Sequence, residues 1–227
     1  MNGLQVECSK EITKVATAVD ACKESITRAA RYGAELLVVH HGLFWGEMTP
    51  IAGVMGKRIG LLFSKGVSLY AAHLPLDCHG EIGNNIGLAR LLRLQGIEKF
   101  GLYRGIEIGL CGALPGRTTV RSLSARLTKQ FGEAPKVFPF GRSEIKRLAV
   151  VSGGGSSLAQ QAKDAGCDTL LTGEPSHSVY HTAREARINL VCAGHYATET
   201  LGVKALGELV ESELGIPSKF IDVPTGL

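Results

Sequence analysis

Three apolar, strand-like runs in this 227-residue chain each lead into side chains that bind metal ions. Glu35-Leu36-Leu37-Val38-Val39 ends in the pair His40-His41. Leu69-Tyr70-Ala71-Ala72 leads to His73-Leu74-Pro75-Leu76-Asp77, and Asn189-Leu190-Val191-Cys192-Ala193 leads to His195-Tyr196-Ala197-Thr198-Glu199. A His-x-x-x-carboxylate unit therefore occurs twice. Neutral imidazole is a good ligand for zinc, iron, nickel and related ions, and a carboxylate can bridge two cations and offset their charge. Three histidines and two acids exceed what one zinc takes and suit two metals.

His195 and Glu199 stand four apart, so a helix beginning near Gly194 puts both on one face. Pro75 interrupts the matching unit, which makes Asp77 the safer ligand there and leaves His73 to hold a carboxylate or a proton behind the ligands. His40 and His41 would point to opposite faces inside a strand. At a strand end, with Gly42 relaxing the backbone, both rings can reach metal; the bland alternative is one buried and one exposed histidine.

A fourth strand end, Leu170-Leu171-Thr172-Gly173-Glu174-Pro175-Ser176-His177, offers Glu174 or His177 as general acid or base; an exposed loop with Ser176 as a helix cap explains it equally. Ser152-Gly153-Gly154-Gly155-Ser156-Ser157 joins a strand to a helix. Such a loop can aim amides at a phosphate, but it lacks the P-loop lysine, and a tight turn accounts for it nearly as well. Trp45, the only tryptophan, can wall a pocket, stack a base or simply pack. His79 reads as surface.

The elements that must position these groups alternate. Periodicity predicts strands at 13–19, 35–39 and 67–72 with helices at 23–32, 56–64 and 85–94, then strands at 147–151, 168–171 and 189–193 with helices at 157–165, 179–186 and 200–214. In open α/β sheets ligands collect beyond the carboxyl ends of strands, where these donors fall. The expected domains are a first α/β lobe over 1–99, a connecting subdomain over 100–145 and a second lobe over 146–227. Within the connector, Pro115-Gly116 reads as a turn, 120–131 as a helix capped by Thr118 or Thr119, and 136–140 as an edge strand carrying a proline. If the outer thirds are a duplication, His73 corresponds to His195 and Asp77 to Glu199, and the halves would face each other across the site.

A formal charge of +4, from 25 basic and 21 acidic residues without a basic run, is too mild to argue for nucleic acid. Six cysteines without a C-x-x-C pair suit a reducing compartment, and no apolar run approaches the ~18 residues of a membrane span. The expectation is a cytoplasmic protein, neither exported nor membrane-inserted.

Taken in order, Asn2-Gly3-Leu4-Gln5-Val6-Glu7, Val39-His40-His41-Gly42-Leu43-Phe44-Trp45, Ala72-His73-Leu74-Pro75-Leu76-Asp77, Gly83-Asn84-Asn85, Ser152-Gly153-Gly154-Gly155, Thr172-Gly173-Glu174 and Gly194-His195-Tyr196-Ala197-Thr198-Glu199 resemble the signatures of the GTP cyclohydrolase I type 2-like, or Nif-three-like, family across nearly the whole chain. The resemblance implies an α/β fold of two similar lobes with mixed or largely parallel sheets flanked by helices, a dinuclear metal centre in the cleft between them, and hexameric rings of identical chains. Carried onto this chain, the family's ligands are His40, His41, Asp77, His195 and Glu199. Relatives also have a segment, beginning with a helix, ahead of the Asn2 stretch, which this sequence does not contain.

The function expected is a metal-dependent hydrolase using two divalent ions per chain (zinc, iron, manganese, nickel or cobalt) to open the purine ring of GTP or act on a related nucleotide, with Glu174, His177 or His73 managing protons. The alternative is a non-catalytic metal-binding or regulatory scaffold. The expected partners are further copies of the chain and a small nucleotide, with nucleic acid disfavoured and no membrane.

Overall fold

A helical crossover returns the chain to the same end of a sheet, so a strand-helix-strand-helix-strand run builds three parallel strands. In the computed structural model, which describes residues 1–8 and 11–227, such a run occurs twice. The first is preceded by strand β1 (Gly3–Val6) and comprises β2 (Val15–Asp20), α1 (Lys23–Tyr32), β3 (Leu36–His41), α2 (Gly53–Lys65) and β4 (Ser68–Ala71). Thr17, Val38 and Tyr70 lie in register across its three parallel strands, and β1 runs antiparallel along β4. Leu37, Val39, Leu62 and Leu69 are completely buried, with Ile26 of α1 packed among them. Helix α1 starts where the Cys22 side chain accepts the Ser25 amide and stops at Gly33, whose φ of 83° ends the helix without side-chain strain.

Two short helices, α3 (Leu74–Asp77) and α4 (Asn84–Leu92), lead to the antiparallel pair β5 (Gln95–Tyr103) and β6 (Ile106–Thr119), then α5 (Val120–Phe131) and the edge strand β7 (Lys136–Phe138). The second run is β8 (Glu144–Val150), α6 (Ala159–Asp164), β9 (Thr169–Thr172), α7 (Tyr180–Glu185) and β10 (Asn189–Cys192), with short 3-10 turns at Gly155–Leu158 and His177–Val179 before the two helices. Helix α8 (His195–Leu214) and strand β11 (Ser218–Phe220) complete the chain's regular structure. The sheet orders are β1-β4-β3-β2-β11 and β5-β6-β8-β9-β10-β7. Both contain an antiparallel edge strand laid on the last strand of the parallel run, β1 on β4 and β7 on β10. That is the topology of a repeated unit.

The α/β class of two sheets flanked by helices is as expected, but the chain divides elsewhere. One compact unit is Met1–Leu76 with Gly202–Val223, and the other is Asp77–Leu201 with Pro224–Leu227. Residues 100–145, expected as a connector, instead supply strands to the second sheet because β6 hydrogen-bonds to β8 and β7 to β10. The boundaries expected at 99 and 145 therefore fall inside one hydrogen-bonded sheet. Residues after 201 return to the first sheet, where β11 pairs with β2. Pro115-Gly116 is not a chain reversal. It lies in a bulge of β6, between Ala113 and Thr118 in the register with β8, where Gly116 takes φ 66°. Among the described residues no helix is long and apolar enough to cross a membrane.

Candidate metal centre

In the first unit the donors sit where β3 and β4 end. His40 and His41 are the last two residues of β3, inside the strand rather than beyond it. Their ring centroids are nevertheless only 4.8 Å apart, and each is near His73, at 4.9 and 5.4 Å. One ligand nitrogen from each of the three rings lies within 4.8 Å of the others. Strand alternation is overcome here because the sheet stops at His41. His40 is wholly buried and its Nδ1 lies 2.9 Å from the carbonyl oxygen of Ala72. A carbonyl only accepts, so Nδ1 carries the proton and Nε2 carries the lone pair. His41 is set the same way by Asp20, whose Oδ1 is 2.9 Å from its Nδ1. Trp45 is half exposed and stands edge-on to His73 at 4.9 Å, forming a wall of this imidazole cluster.

The amino-terminal strand secures that geometry. Asn2 Oδ1 accepts the amide of His73, and Gln5 Oε1 accepts the amide of Leu43 at 2.7 Å while its Nε2 donates to the Phe44 carbonyl. Gly42 has no room for a Cβ, which would meet Ala71 Cβ at 2.7 Å and press into the Gln5 amide.

In the second unit His195 opens helix α8 and Glu199 follows one turn later on the same face, their Nε2 and Oε1 3.1 Å apart. Glu174, just beyond β9, meets the other ring nitrogen, its Oε1 lying 3.1 Å from His195 Nδ1. Held between two carboxylates, with the Glu199 hydrogen bond the larger cause and burial opposing, the His195 imidazolium is pushed up to about 9. Asp77 is buried and its Oδ1 accepts from Asn84 Nδ2 and from Ser152 Oγ, each at 2.8 Å. Asn85 accepts the Ser152 amide at 2.7 Å and donates to the Ile108 carbonyl.

The glycine loop after β8 serves this arrangement. Gly153 donates its amide to Thr198 Oγ1 and Gly155 donates to Thr172 Oγ1. Gly153, at φ 60°, lies so close to the helix that a Cβ would meet His195 Nε2 at 3.0 Å and overlap the Glu199 carboxylate. His177 is exposed in the 3-10 turn before α7. His79 is exposed too, its Nδ1 accepting the amides of Glu81 and Ile82 in a local turn.

The donor chemistry fits divalent cations. Two imidazoles of the first unit have their proton placed on Nδ1 by a fixed acceptor, the arrangement in which Nε2 is the metal ligand. Between His195 Nε2 and Glu199 Oε1 a proton holds together two groups that a cation would bind equally well, and Glu174 keeps the opposite nitrogen protonated. Sequence reading passed over Asp20 and quoted Asn2, Gln5, Asn84, Asn85 and Ser152 only within the motifs of the family resemblance, without a role at the site. Asp20 shares the signal of the others, since it too is the last residue of a parallel strand.

The profile of the family described as Duf34/NIF3 (NGG1p interacting factor 3) matches residues 1–225. A Pyrococcus abyssi protein called "GTP cyclohydrolase 1 type 2 homolog" is 45% identical over 227 residues, covering 100% of this chain and 90% of its own length. An Archaeoglobus fulgidus protein of the same description is 46% identical over 226 residues, again covering 100% and 90%. Among solved structures, that of "protein ybgI, unknown function" superposes with a TM-score of 0.93 at 34% identity, covering 100% of this chain and 91% of the other.

Proposed function

Because the chain belongs to the Duf34/NIF3 family, we propose that it is a metal-dependent hydrolase in which His40, His41, Asp77, His195 and Glu199 hold two divalent ions and a nucleotide is the substrate. The observation that carries this reading is the imidazole cluster of the first unit, where the proposed ligands His40 and His41 and the neighbouring His73 bring one nitrogen each within 4.8 Å of the others. Packing alone gives little reason to gather three polar rings with two of their tautomers fixed, whereas metal binding gives one. When bound, the ions supply Lewis acidity for the bond under attack and lower the pKa of water.

The chain's own residues do the rest. Asp20 and the Ala72 carbonyl hold the ring protons of His41 and His40 on Nδ1, so that Nε2 is the donor. Glu174 holds His195 in the same sense and, with His177 and His73, supplies carboxylate and imidazole for moving protons to and from the substrate. Trp45 gives the first unit an aromatic surface against which a base can lie. The names of the relatives make GTP the first substrate to try, with one water adding to the purine imidazole carbon to open the ring as a formamide and a second water hydrolysing that formamide, so that the carbon leaves as formate and the ring nitrogen as an amine. A hexameric ring of identical chains, which the sequence resemblance implies, is the proposed assembly.

The test is metal content by plasma mass spectrometry on untagged protein, together with formate release from GTP. About two ions per chain, lost in His40→Ala and His195→Ala variants that stay folded, with GTP-dependent formate, supports the reading. Protein that stays empty when supplied with zinc, manganese or iron overturns it. Bound metal without turnover of any nucleotide leaves a metal-binding scaffold.

A further inference from the structure

The parallel strands of the second sheet have a second set of functional groups, at the ends opposite to Ser152, Glu174 and His195. Residues at or near the amino ends of β8, β9 and β10 surround a concavity of about 540 Å³ lined by Phe140, Gly141, Arg142, Lys163, Asp168 and Arg187. The three cations are exposed, and among the described residues none of them forms an ion pair. Asp168 is the one carboxylate in the lining, and its Oδ2 is already engaged by the amides of Lys146 and Arg147 at 2.9 and 3.1 Å. Three positive groups thus face one negative group in a shared recess. A recess lined by cations of one sign raises the local concentration of anions.

The recess is also held in shape before any ligand arrives. Asn189 is completely buried, accepts the Gly141 amide at 2.8 Å, and donates to the Arg142 carbonyl at 2.7 Å and to Thr169 Oγ1 at 3.2 Å. A Cβ on Gly141 would stand 2.9 Å from the Arg187 carbonyl, so the backbones carrying Arg142 and Arg187 are clipped side by side. Little ordering of the main chain remains to be done on binding. Arg187 itself occupies the left-handed region, φ 53°, a conformation relaxed for glycine and strained for arginine. It follows the last turn of α7, where the Ile188 amide closes the helix by donating to the Ala183 carbonyl at 3.1 Å, so the backbone at Arg187 is fixed by the helix stop. Phe140 adds an aromatic wall, edge-on to Tyr180 at 5.1 Å between centroids.

We infer that this recess is a binding site for an organic phosphate of nucleotide size. The phosphate pairs with Arg142, Lys163 and Arg187, the ring lies against Phe140, and a ligand hydroxyl donates to Asp168 Oδ1. Guanidinium groups match phosphate oxygens in pairs, and the volume falls within the usual range of small-molecule sites. The inference does not rest on the metal reading, because none of these residues is among the metal donors.

Calorimetric titration of the metal-stripped full chain with adenosine 5′-monophosphate tests it, with adenosine and inorganic phosphate as companions. The monophosphate binds, adenosine shows no heat, and phosphate binds more weakly than the monophosphate. Replacing Arg142 and Lys163 together by alanine weakens the monophosphate by about tenfold or more. Arg187→Gly weakens it severalfold without lowering the melting temperature, since glycine suits that backbone. Phe140→Leu brings the monophosphate down to the level of phosphate, and His195→Ala leaves it unchanged. No binding at millimolar concentration overturns the site, as does equal binding by the wild type and the double variant. Binding to a single-stranded oligonucleotide without binding to the monophosphate also overturns it, assigning the cations to a nucleic-acid backbone instead.

Discussion

Asp20 and His41 are partners in register at the ends of two neighbouring parallel strands, with Asp20 Oδ1 2.9 Å from His41 Nδ1. The carboxylate fixes which imidazole nitrogen carries the proton and makes the other a better donor. Asp20→Asn keeps the shape but removes the charge, and the amide can turn either an acceptor or a donor toward the ring. Metal affinity, read by competition with a chromophoric chelator, should fall about ten- to a hundredfold while the melting temperature of metal-free protein changes little. Unchanged affinity would remove Asp20 from the metal site.

His195 in metal-free protein sets a pH dependence whose sign follows from its two carboxylates. Its pKa rises from the ordinary 6.5 to about 9, so folding favours the protonated ring. The contribution is complete below about pH 6.5 and is lost as pH rises through about 9. The melting temperature of the metal-stripped chain should decline across that window, and Glu199→Gln should flatten the decline. A wild-type profile without such a decline would contradict the arrangement.

Gly153 should tolerate no side chain. A Cβ there would collide with the Glu199 carboxylate and crowd His195 Nε2 at 3.0 Å, on a backbone at φ 60° where L-residues pay about 1–2 kcal/mol. Gly153→Ala is expected to destabilise by at least that amount and to lose metal together with stability, measured by urea unfolding and metal analysis of the same sample. Wild-type stability would mean that the loop has room the structure denies it.

The thiols should react in two classes. Burial pushes Cys167 and Cys192 up to about 12, and Cys111 is buried beside Arg147. Native protein treated with iodoacetamide near pH 8 should carry label on Cys8, Cys22 and Cys78, which are partly accessible, and label Cys167 and Cys192 only after denaturation. Peptide mass spectrometry distinguishes the two classes, and prompt native labelling of Cys192 would be inconsistent with its place in β10.

What the sequence revealed depended on how local the cause was. Helices over Lys23–Tyr32 and Val120–Phe131 could be read to the residue because each lies between a side-chain cap and a left-handed glycine. Strand β5 carries Gln95-Gly96-Ile97-Glu98-Lys99 with no alternation, since most of it is exposed and its pairing with β6 is what makes it a strand. For the last helix, periodicity marked only residues from Thr200 on, whereas the four-residue spacing of His195 and Glu199 called for a start near Gly194, and α8 begins at His195. The candidate metal donors were marked by residue type at strand ends. Asn2, Gln5, Asn84 and Asn85 stood out only as parts of the motifs that carry the family resemblance, and their supporting role was not legible, because an amide that holds a donor's backbone or carboxylate has no periodicity or charge to mark it.

Strand β11, residues Ser218–Phe220, lies on β2 near the other end of the chain, and the unit containing both is interrupted by Asp77–Leu201. A nascent chain emerging from the ribosome therefore cannot finish the first sheet in the order in which it is made. The uninterrupted span of the second unit is entirely synthesised while β2 still has an open edge, the situation in which an unpaired strand recruits neighbours. The sheet begun first is the one completed last, and loss of residues 218–227 would leave that edge of β2 exposed for the life of the protein.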